Sequence, residues 1–367
     1  MIHLSAIYKS VCMDRIGAGP VGKNLLPVGR HGPIMKTNVG LTAGIPVCNG
    51  MPWLAEAMDS LLHQTNDAFE ILAIVDGGTD GSAAYLRDIE NKLARDGFPW
   101  PRLRVLEQEN AGVTATLNRL LDETRTPWLI RMDADDVSYP TRMASLGKAI
   151  EEHPDAGLIY SLADYYPRDR CAGQFRCSRG TPEELSALVR SGYLLSICHS
   201  TVALNVEKAR AAGGYRMEIH AEDADLWWRM ALRFEIHFIP EALVGFRLNP
   251  ESVSSRNLEQ QQLAGIYVQY LLLSDLWELT PRPLGAVAEP LMEFVEPSAV
   301  EAKEALRRFN MHLAEKQYVR GVAALARAFH ASPGYVSRRV REELRPAAIA
   351  NGVAPNKFLE RKEVLWA

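Results

Sequence analysis

The chain has 367 residues, 47% hydrophobic and 23% charged, with a formal net charge of −4. That length supports a large core, one large domain plus an appendage, and the mild acidity argues against nucleic-acid binding by bulk charge. No apolar run approaches the ~20 residues of a spanning helix, and the five cysteines (Cys12, Cys48, Cys171, Cys177, Cys198) form no CxxC pair.

Scattered thiols fit a reducing, cytoplasmic setting. Residues 1–36 are glycine-rich, without periodicity or the apolar stretch of a signal peptide, and are expected to form a poorly packed leader. From Val39 strand and helix signals alternate. VGLTAGIPV (39–47) reads as a strand, and residues 52–64 as a helix with Pro52 in its first turn. FEILAIVDGG (69–78) is a buried strand closed by two glycines. A helix over 82–95, strand LRVLEQ (103–108), a helix over 112–124 and a strand from Trp128 follow. The spacing next predicts a helix from Pro140 to about His153, a strand at 156–164 and a loop-like stretch at 165–182. A strand at 194–204, the turn GGYR (213–216), a helix over 221–234 and a strand over 235–249 bent at Pro240 complete the alternation. This order predicts an α/β fold, a mostly parallel central sheet flanked by helices.

Beyond residue 257 the pattern is helical throughout. Ala302, Leu306, Phe309 and Leu313 mark one helix face, and Val322, Leu325 and Phe329 a second. The span 303–345 carries ten Lys/Arg against four Glu. That excess admits two readings, attraction to an anionic membrane surface and the solvated outer faces of a helical cap. The expected divisions are therefore 1–36, 37–256 and 257–367.

Open α/β sheets bind ligands beyond the carboxyl ends of their strands. Three polar clusters fall there: Pro46–Asn49, Asp76–Asp80 and Asp133–Asp136. Asp133, Asp135 and Asp136 lie within four residues of each other, and carboxylates so close repel unless a cation shares the site. At a strand end the natural cation is an oxygen-loving Mg²⁺ or Mn²⁺ that keeps positions open for phosphate. Asp136 or Ser138 also suits the cap of the helix that follows. Asp76 precedes Gly77 and Gly78, which let backbone approach a flat ligand. An Asp-Gly turn capped by Asp80 or Ser82 explains the same residues. Glu222 and Asp223 open a helix, where the macrodipole favours ionised carboxylates and a general base needs one. The adjacent Trp227 and Trp228 suit either an acceptor platform or core.

Taken in order, IPVCNG, VDGGTDGS, ENAGVTATLN, RMDADDVSYPTRM, CHSTVAL, GGYR, AEDADLWWRM and FRLNPESVS resemble the bacterial family 2 glycosyltransferases of GT-A fold. The likeness covers roughly 37–256 and is greatest to the exopolysaccharide and lipopolysaccharide branch. It implies inverting transfer from a nucleoside-diphosphate sugar, usually a UDP-sugar, to an acceptor hydroxyl on a glycan or lipid-linked glycan. By that resemblance Pro46, Asn49 and Gly112 contact the nucleotide and Asp76 holds the uracil. Asp133 and Asp135 form the metal motif, with Asp133 near the ribose and Asp135 on Mn²⁺ or Mg²⁺. Asp223 is the base with Glu222 beside it, and Arg247 lies in the segment closing over the diphosphate. The implied location is cytoplasmic, with peripheral contact on the inner membrane face. Two positions depart from the pattern: Gly78 stands where Ser is frequent, and Asn249 where His is frequent.

Competing readings exist. DADDV (133–137) fits the motif of haloacid-dehalogenase-type phosphatases, with Asp133 as nucleophile. That motif ordinarily sits on the first strand and is joined by a lysine motif absent here. A nucleotidyltransferase that forms sugar nucleotides would share sheet and metal, but IPVCNGMPW lacks a basic, glycine-rich phosphate loop. A non-catalytic sugar-nucleotide binder is opposed by the presence of Asp223. Loops within 165–200 are expected to read the sugar.

Overall fold

The structure is a computed structural model and describes residues 40–95, 102–167, 173–216, 219, 221–248, 258–344 and 351–367. The expected leader at 1–36, together with Cys12, Val39, Cys171, Asn249 and Arg345, lies outside the described residues.

Strand β1 (Leu41–Val47) is followed by helix α1 (Trp53–Leu62), β2 (Glu70–Asp76), α2 (Ser82–Arg95), β3 (Leu103–Gln108), α3 (Val113–Glu123) and β4 (Trp128–Arg131). Then come β5 (Val137–Ser138), α4 (Arg142–Glu152), β6 (Ala156–Tyr166), α5 (Pro182–Arg190), β7 (Ala203–Asn205), α6 (Val206–Ala211), α7 (Glu222–Ala231) and β8 (Glu235–Arg247). The eight strands form one sheet in the order β3-β2-β1-β4-β7-β6-β8-β5. β3, β2, β1 and β4 run parallel, as do β6 and β8; β7 and β5 pair antiparallel with their neighbours.

Alternation along each strand divides the core into two layers. Leu72 and Ile74 of β2, Leu129 of β4 and Leu158 and Tyr160 of β6 face α3, α5, α6 and α7. Ile71, Ala73, Val75, Trp128, Ile130 and Ile159 face α1, α2 and α4. The helices thus cover both faces, and the strand ends remain for a site.

Two predicted elements differ. The strand expected at 194–204 shrinks to β7, preceded by a 3₁₀ turn at His199–Thr201. That turn aims Ser200 at the aspartate cluster. Helix α5 was not predicted, although Thr181 and Glu184 form a complete capping box at its start. The expected bend in β8 is a bulge: Ser161 pairs with Ile239 and Leu162 with Ala242, leaving Pro240 and Glu241 unpaired.

Helix α8 (Leu258–Leu276) joins the same core through Ile266, Val268, Tyr270 and Leu272, with α9 (Leu284–Met292) and α13 (Pro355–Glu360) adding Leu291 and Phe358. Buried Gln269 ties this layer together. Its Nε2 donates to the carbonyls of Gly192 at 2.8 Å and Val353 at 2.7 Å, and its Oε1 accepts the Val353 N–H. Between α9 and α13, α10 (Pro297–Ala314), α11 (Tyr318–Ala331) and α12 (Pro333–Leu344) share a small core of Ala302, Ala305, Ala328 and Val336. No helix among the described residues is long and apolar enough to cross a membrane.

Candidate active site

The carboxyl ends of β1, β2 and β4 lie side by side because these strands are neighbours in register. Pro46 sits in β1 opposite Ile74. Asn49 takes a left-handed φ of 51° just after the strand, and its Oδ1 accepts the Thr79 N–H at 2.9 Å. Gly78 approaches the same amide: with φ at 101°, a Cβ there would stand 2.8 Å from Asn49 Oδ1. Glycine at 78 is therefore demanded by backbone and space, and the Thr79–Asn49 bond holds this turn without a hydroxyl at 78. Asp80 adds a second tie, accepting the N–H groups of Met51 at 2.7 Å and Ser82 at 3.0 Å.

Asp76 is buried at the end of β2. Its Oδ1 accepts from Gln108 Nε2 at 2.7 Å and Ala111 N–H at 2.8 Å, and its Oδ2 accepts the Gly112 N–H at 3.0 Å. Asp76 and Gly112 are thus brought into direct contact. A carboxylate has about four lone-pair sites, so these three donors leave little capacity for another.

The three aspartates after β4 converge. Ligand oxygens of Asp133, Asp135 and Asp136 lie within 4.8 Å of one another. Asp133 and Asp76 flank β1 two strands apart, about 10 Å across the sheet at ordinary strand spacing. Asp133 Oδ2 lies 2.5 Å from Arg131 Nη1 and accepts from Ser200 Oγ at 2.8 Å, while Asp133 N–H donates to that hydroxyl at 3.0 Å. Burial pushes the Asp133 carboxyl up, but the Arg131 guanidinium outweighs it and holds the carboxyl below its ordinary value. Asp136 is the opposite case. Burial, then the charges of Asp133 and Asp135, push it well above the ordinary carboxylate range. Its Oδ1 accepts the Arg247 N–H at 2.8 Å, while its buried Oδ2 has no hydrogen-bond partner among the described residues. Neither Asp136 nor Ser138 caps the following helix. Thr141 precedes α4 without a side-chain cap, and Ser138 Oγ instead accepts from Gln64.

Two buried arginines support this cluster, and pattern reading missed both. Arg142, fully buried, donates to the carbonyls of Arg131 at 2.7 Å and Ser200 at 2.6 Å. Burial depresses it to about 10. The available signal was charge inside otherwise apolar segments: WLIR ends a buried strand and RMASL opens a buried helix face.

The opposite wall comes from the 3₁₀ turn and α7. His199 Nε2 lies 2.9 Å from Tyr215 Oη, and its ring meets Trp227 edge-on at 5.4 Å. Burial, then Arg131, hold His199 well below its ordinary value, so the ring is neutral at pH 7. Burial, then its neighbour Asp223, push Glu222 up to about 7. Burial also raises Asp223, opposed by the Ala224 N–H, which donates to its Oδ1 at 2.7 Å. The Asp133 charge acts on both acids and Arg131 opposes it, so the cluster after β4 and the start of α7 share one electrostatic site. Trp227 and Trp228 are both buried, which makes them core rather than platform.

Arg247, the last residue of β8, closes one side. Beyond its N–H bond to Asp136, its Nε donates to the Asp135 carbonyl at 2.7 Å and its Nη2 pairs with Glu56. Its guanidinium lies 4.3 Å from the Trp53 ring and 4.9 Å from the Tyr166 ring. The third acid of α7, Asp225, is fully buried and was not singled out by pattern. It pairs with Arg229 at 2.7 Å and Arg216 at 2.9 Å, so the GGYR turn is bolted to the helix carrying Glu222 and Asp223.

A sheet of this order, with helices on both faces and acids gathered at its carboxyl edge, is of the GT-A type. Residues 42–208 match the family profile described as Glycosyl transferase family 2. Over 207 residues it is 25% identical to the amylovoran biosynthesis glycosyltransferase AmsE of Erwinia amylovora, covering 55% of this chain and 73% of that protein. Glycosyltransferase GlyG of Streptococcus pneumoniae is 27% identical over 132 residues, 36% of this chain and 40% of that one. Among solved structures, S. aureus TarS 1-349 in complex with UDP-GlcNAc aligns with a TM-score of 0.53 at 15% identity, covering 78% of this chain and 90% of that chain. At that identity the likeness establishes the GT-A fold alone.

Proposed function

We propose that this chain is an inverting, metal-dependent glycosyltransferase. It moves a sugar from a nucleoside-diphosphate sugar, a UDP-sugar in the leading reading, to a hydroxyl of a glycan or lipid-linked glycan in cell-surface polysaccharide synthesis. The observation that carries this reading is the Asp133–Asp136 cluster tied to the helix of Glu222 and Asp223 through the 3₁₀ turn, whose Ser200 bonds Asp133 and whose His199 packs on Trp227. The AmsE relative supports the polysaccharide setting, and the UDP-GlcNAc bound to TarS supports the donor class.

In this reading Pro46, Asn49, Asp76 and Gly112 form the nucleoside side, with Asp76 acting mainly by fixing the Ala111–Gly112 backbone. Asp133 serves the ribose side and, with Asp135 and the adjoining Asp136, would hold Mn²⁺ or Mg²⁺. The donor set fits such an ion: three carboxylates, one of them with a buried oxygen that accepts no hydrogen bond among the described residues. When held by these aspartates, such an ion would supply the charge that neutralises the leaving diphosphate. Arg247, braced by Glu56 and two aromatic rings, would close over the diphosphate.

Asp223 would take the acceptor proton. Its Oδ1 is committed to the Ala224 N–H, which favours the ionised form, and mutual repulsion leaves the shared proton on Glu222. As the acceptor oxygen bonds to the anomeric carbon from the far side, the carbon–phosphate-oxygen bond breaks and the configuration inverts. With a diphosphate leaving group no general acid is required, unlike glycoside hydrolysis. A phosphatase role for Asp133 is disfavoured because Arg131 and Ser200 already engage the same oxygen.

For location, we infer a cytoplasmic protein that contacts an anionic membrane surface through α11. Its outward face carries Val319 at 85% and Val322 at 66% exposure, with Phe329 beside them and Arg320 at the flank.

The test is calorimetry with UDP, GDP and dTDP, with and without Mn²⁺, beside a screen of nucleotide sugars for hydrolysis. UDP should bind in a Mn²⁺-dependent way, Asp135→Ala should lose that dependence, and Asp223→Asn should bind UDP normally while abolishing transfer. Equal affinity with and without Mn²⁺ removes the metal assignment, and near-normal turnover in Asp223→Asn removes the base.

A further inference from the structure

A basic cluster forms where α10 and α12 meet the sheet, outside the site described above. After β6 the segment carrying Arg176 runs back along that strand. Gln174 bridges Asp164, and the Phe175 N–H donates to the Ala163 carbonyl at 2.8 Å. This places Arg176 against α12, where its Nε lies 2.8 Å from Glu342 Oε2. Arg339, one turn earlier on α12, stands 3.6 Å from the same oxygen. Lys303 joins from α10, whose Ala302 and Ala305 pack on Val336 of α12.

Arg176 and Arg339 thus share one carboxylate, and Lys303, exposed on the neighbouring helix, has no acidic partner among the described residues. Their repulsion registers on each other. Burial, then the charge of Arg339, push the Arg176 guanidinium below its ordinary value, and the charges of Arg339 and Arg176 also act on Lys303. Glu342 satisfies the cluster poorly. Arg176 Nε and Glu342 Oε2 are buried and ion-paired, yet neither makes an aligned hydrogen bond. A buried guanidinium N–H left without a bond is costly, and an oxyanion with several acceptor oxygens would serve it better than one misaligned carboxylate.

β6 links the cluster to the candidate active site: the segment carrying Arg176 bridges it at Asp164, and Tyr166, two residues on, supplies the ring under Arg247.

We propose that Arg176, Lys303 and Arg339 form a binding site for a phosphate group carried by the acceptor substrate. The site itself stands on its own geometry; only the word acceptor rests on the transferase reading.

The test uses the full chain and inorganic pyrophosphate as probe, titrated calorimetrically in EDTA to suppress metal-dependent binding at the aspartates. Wild type should bind, and Lys303→Gln/Arg339→Gln should weaken binding roughly tenfold or more, the scale of a lost charge-assisted contact. Glu342→Gln should tighten it, an outcome no folding defect produces. Asp135→Ala should leave it unchanged. UDP affinity with Mn²⁺ should be equal in wild type and the double variant, so failure of the donor reading registers separately. Phosphatidylcholine vesicles with and without phosphatidylglycerol separate a membrane headgroup from acceptor phosphate. Pyrophosphate affinity that survives the double substitution, or weakens in Glu342→Gln, overturns the proposal. So does loss of phosphatidylglycerol-vesicle binding in the double variant with pyrophosphate binding intact.

Discussion

Replacing Asp225 by Asn should unseat the helix that presents Glu222 and Asp223. Asp225 Oδ2 accepts from Arg229 Nη2 at 2.7 Å, Arg229 Nε at 3.1 Å and Arg216 Nε at 2.9 Å. Its Oδ1 accepts from Trp228 Nε1 at 3.2 Å. Asn keeps one acceptor oxygen but turns an NH₂ group toward either a guanidinium or the indole, donor against donor. Arg229 is 6% exposed and would remain buried without its counter-charge. Breaking a buried pair from one side costs about 3–5 kcal/mol. Arg229 retains the carbonyls of Ala212 and Gly214, and Arg216, at 37% exposure, is water-screened. The expected loss is therefore near the lower end, about 3 kcal/mol, a large share of the roughly 5–15 kcal/mol that holds a typical domain. Urea unfolding followed by tryptophan fluorescence reads this directly, since Trp227 and Trp228 lie in the same helix. A midpoint shift worth less than about 1 kcal/mol, the range of a surface pair, would show that the buried triad does not anchor α7.

Ser200→Ala removes the acceptor for the Asp133 N–H and the donor to its Oδ2, and should cost about 1–3 kcal/mol; an unchanged urea midpoint refutes the tie between the 3₁₀ turn and the aspartates. Glu222 titrates near 7 in the folded chain against 4.5 in the ordinary state. Between these values the folded form keeps a proton the unfolded form has lost, so stability falls as pH rises through that window. In EDTA the melting temperature of wild type should drop more between pH 5 and 7.5 than that of Glu222→Gln, and parallel profiles would refute the raised affinity. Val319→Asp/Phe329→Asp should abolish co-sedimentation with phosphatidylglycerol vesicles while leaving UDP binding intact; retained vesicle binding removes α11 as the contact.

The placement of the acids was legible in the chain because each follows an apolar strand or opens a helix, and those local signals fix where a side chain emerges. Periodicity gave α2 and β3 to the residue, and Pro240 marked the β8 bulge. The 194–204 stretch misled because its apolar residues serve packing on α5 and α7 rather than strand pairing. Asp76 shows a subtler gap: its position is read correctly, but the bonds from Ala111 and Gly112 arise only when the β3–α3 turn folds over it.

By itself, then, the amino-acid order determined the β-α alternation, the strand ends carrying carboxylates and the family likeness, since these depend on neighbours within a turn or a strand. Only the tertiary structure decided which partners those carboxylates meet. Ser200 with Asp133, Arg247 with Asp136 and Arg216 with Asp225 join residues from separate segments, and whether a charge is paired, buried or left wanting depends on distances that no linear spacing encodes.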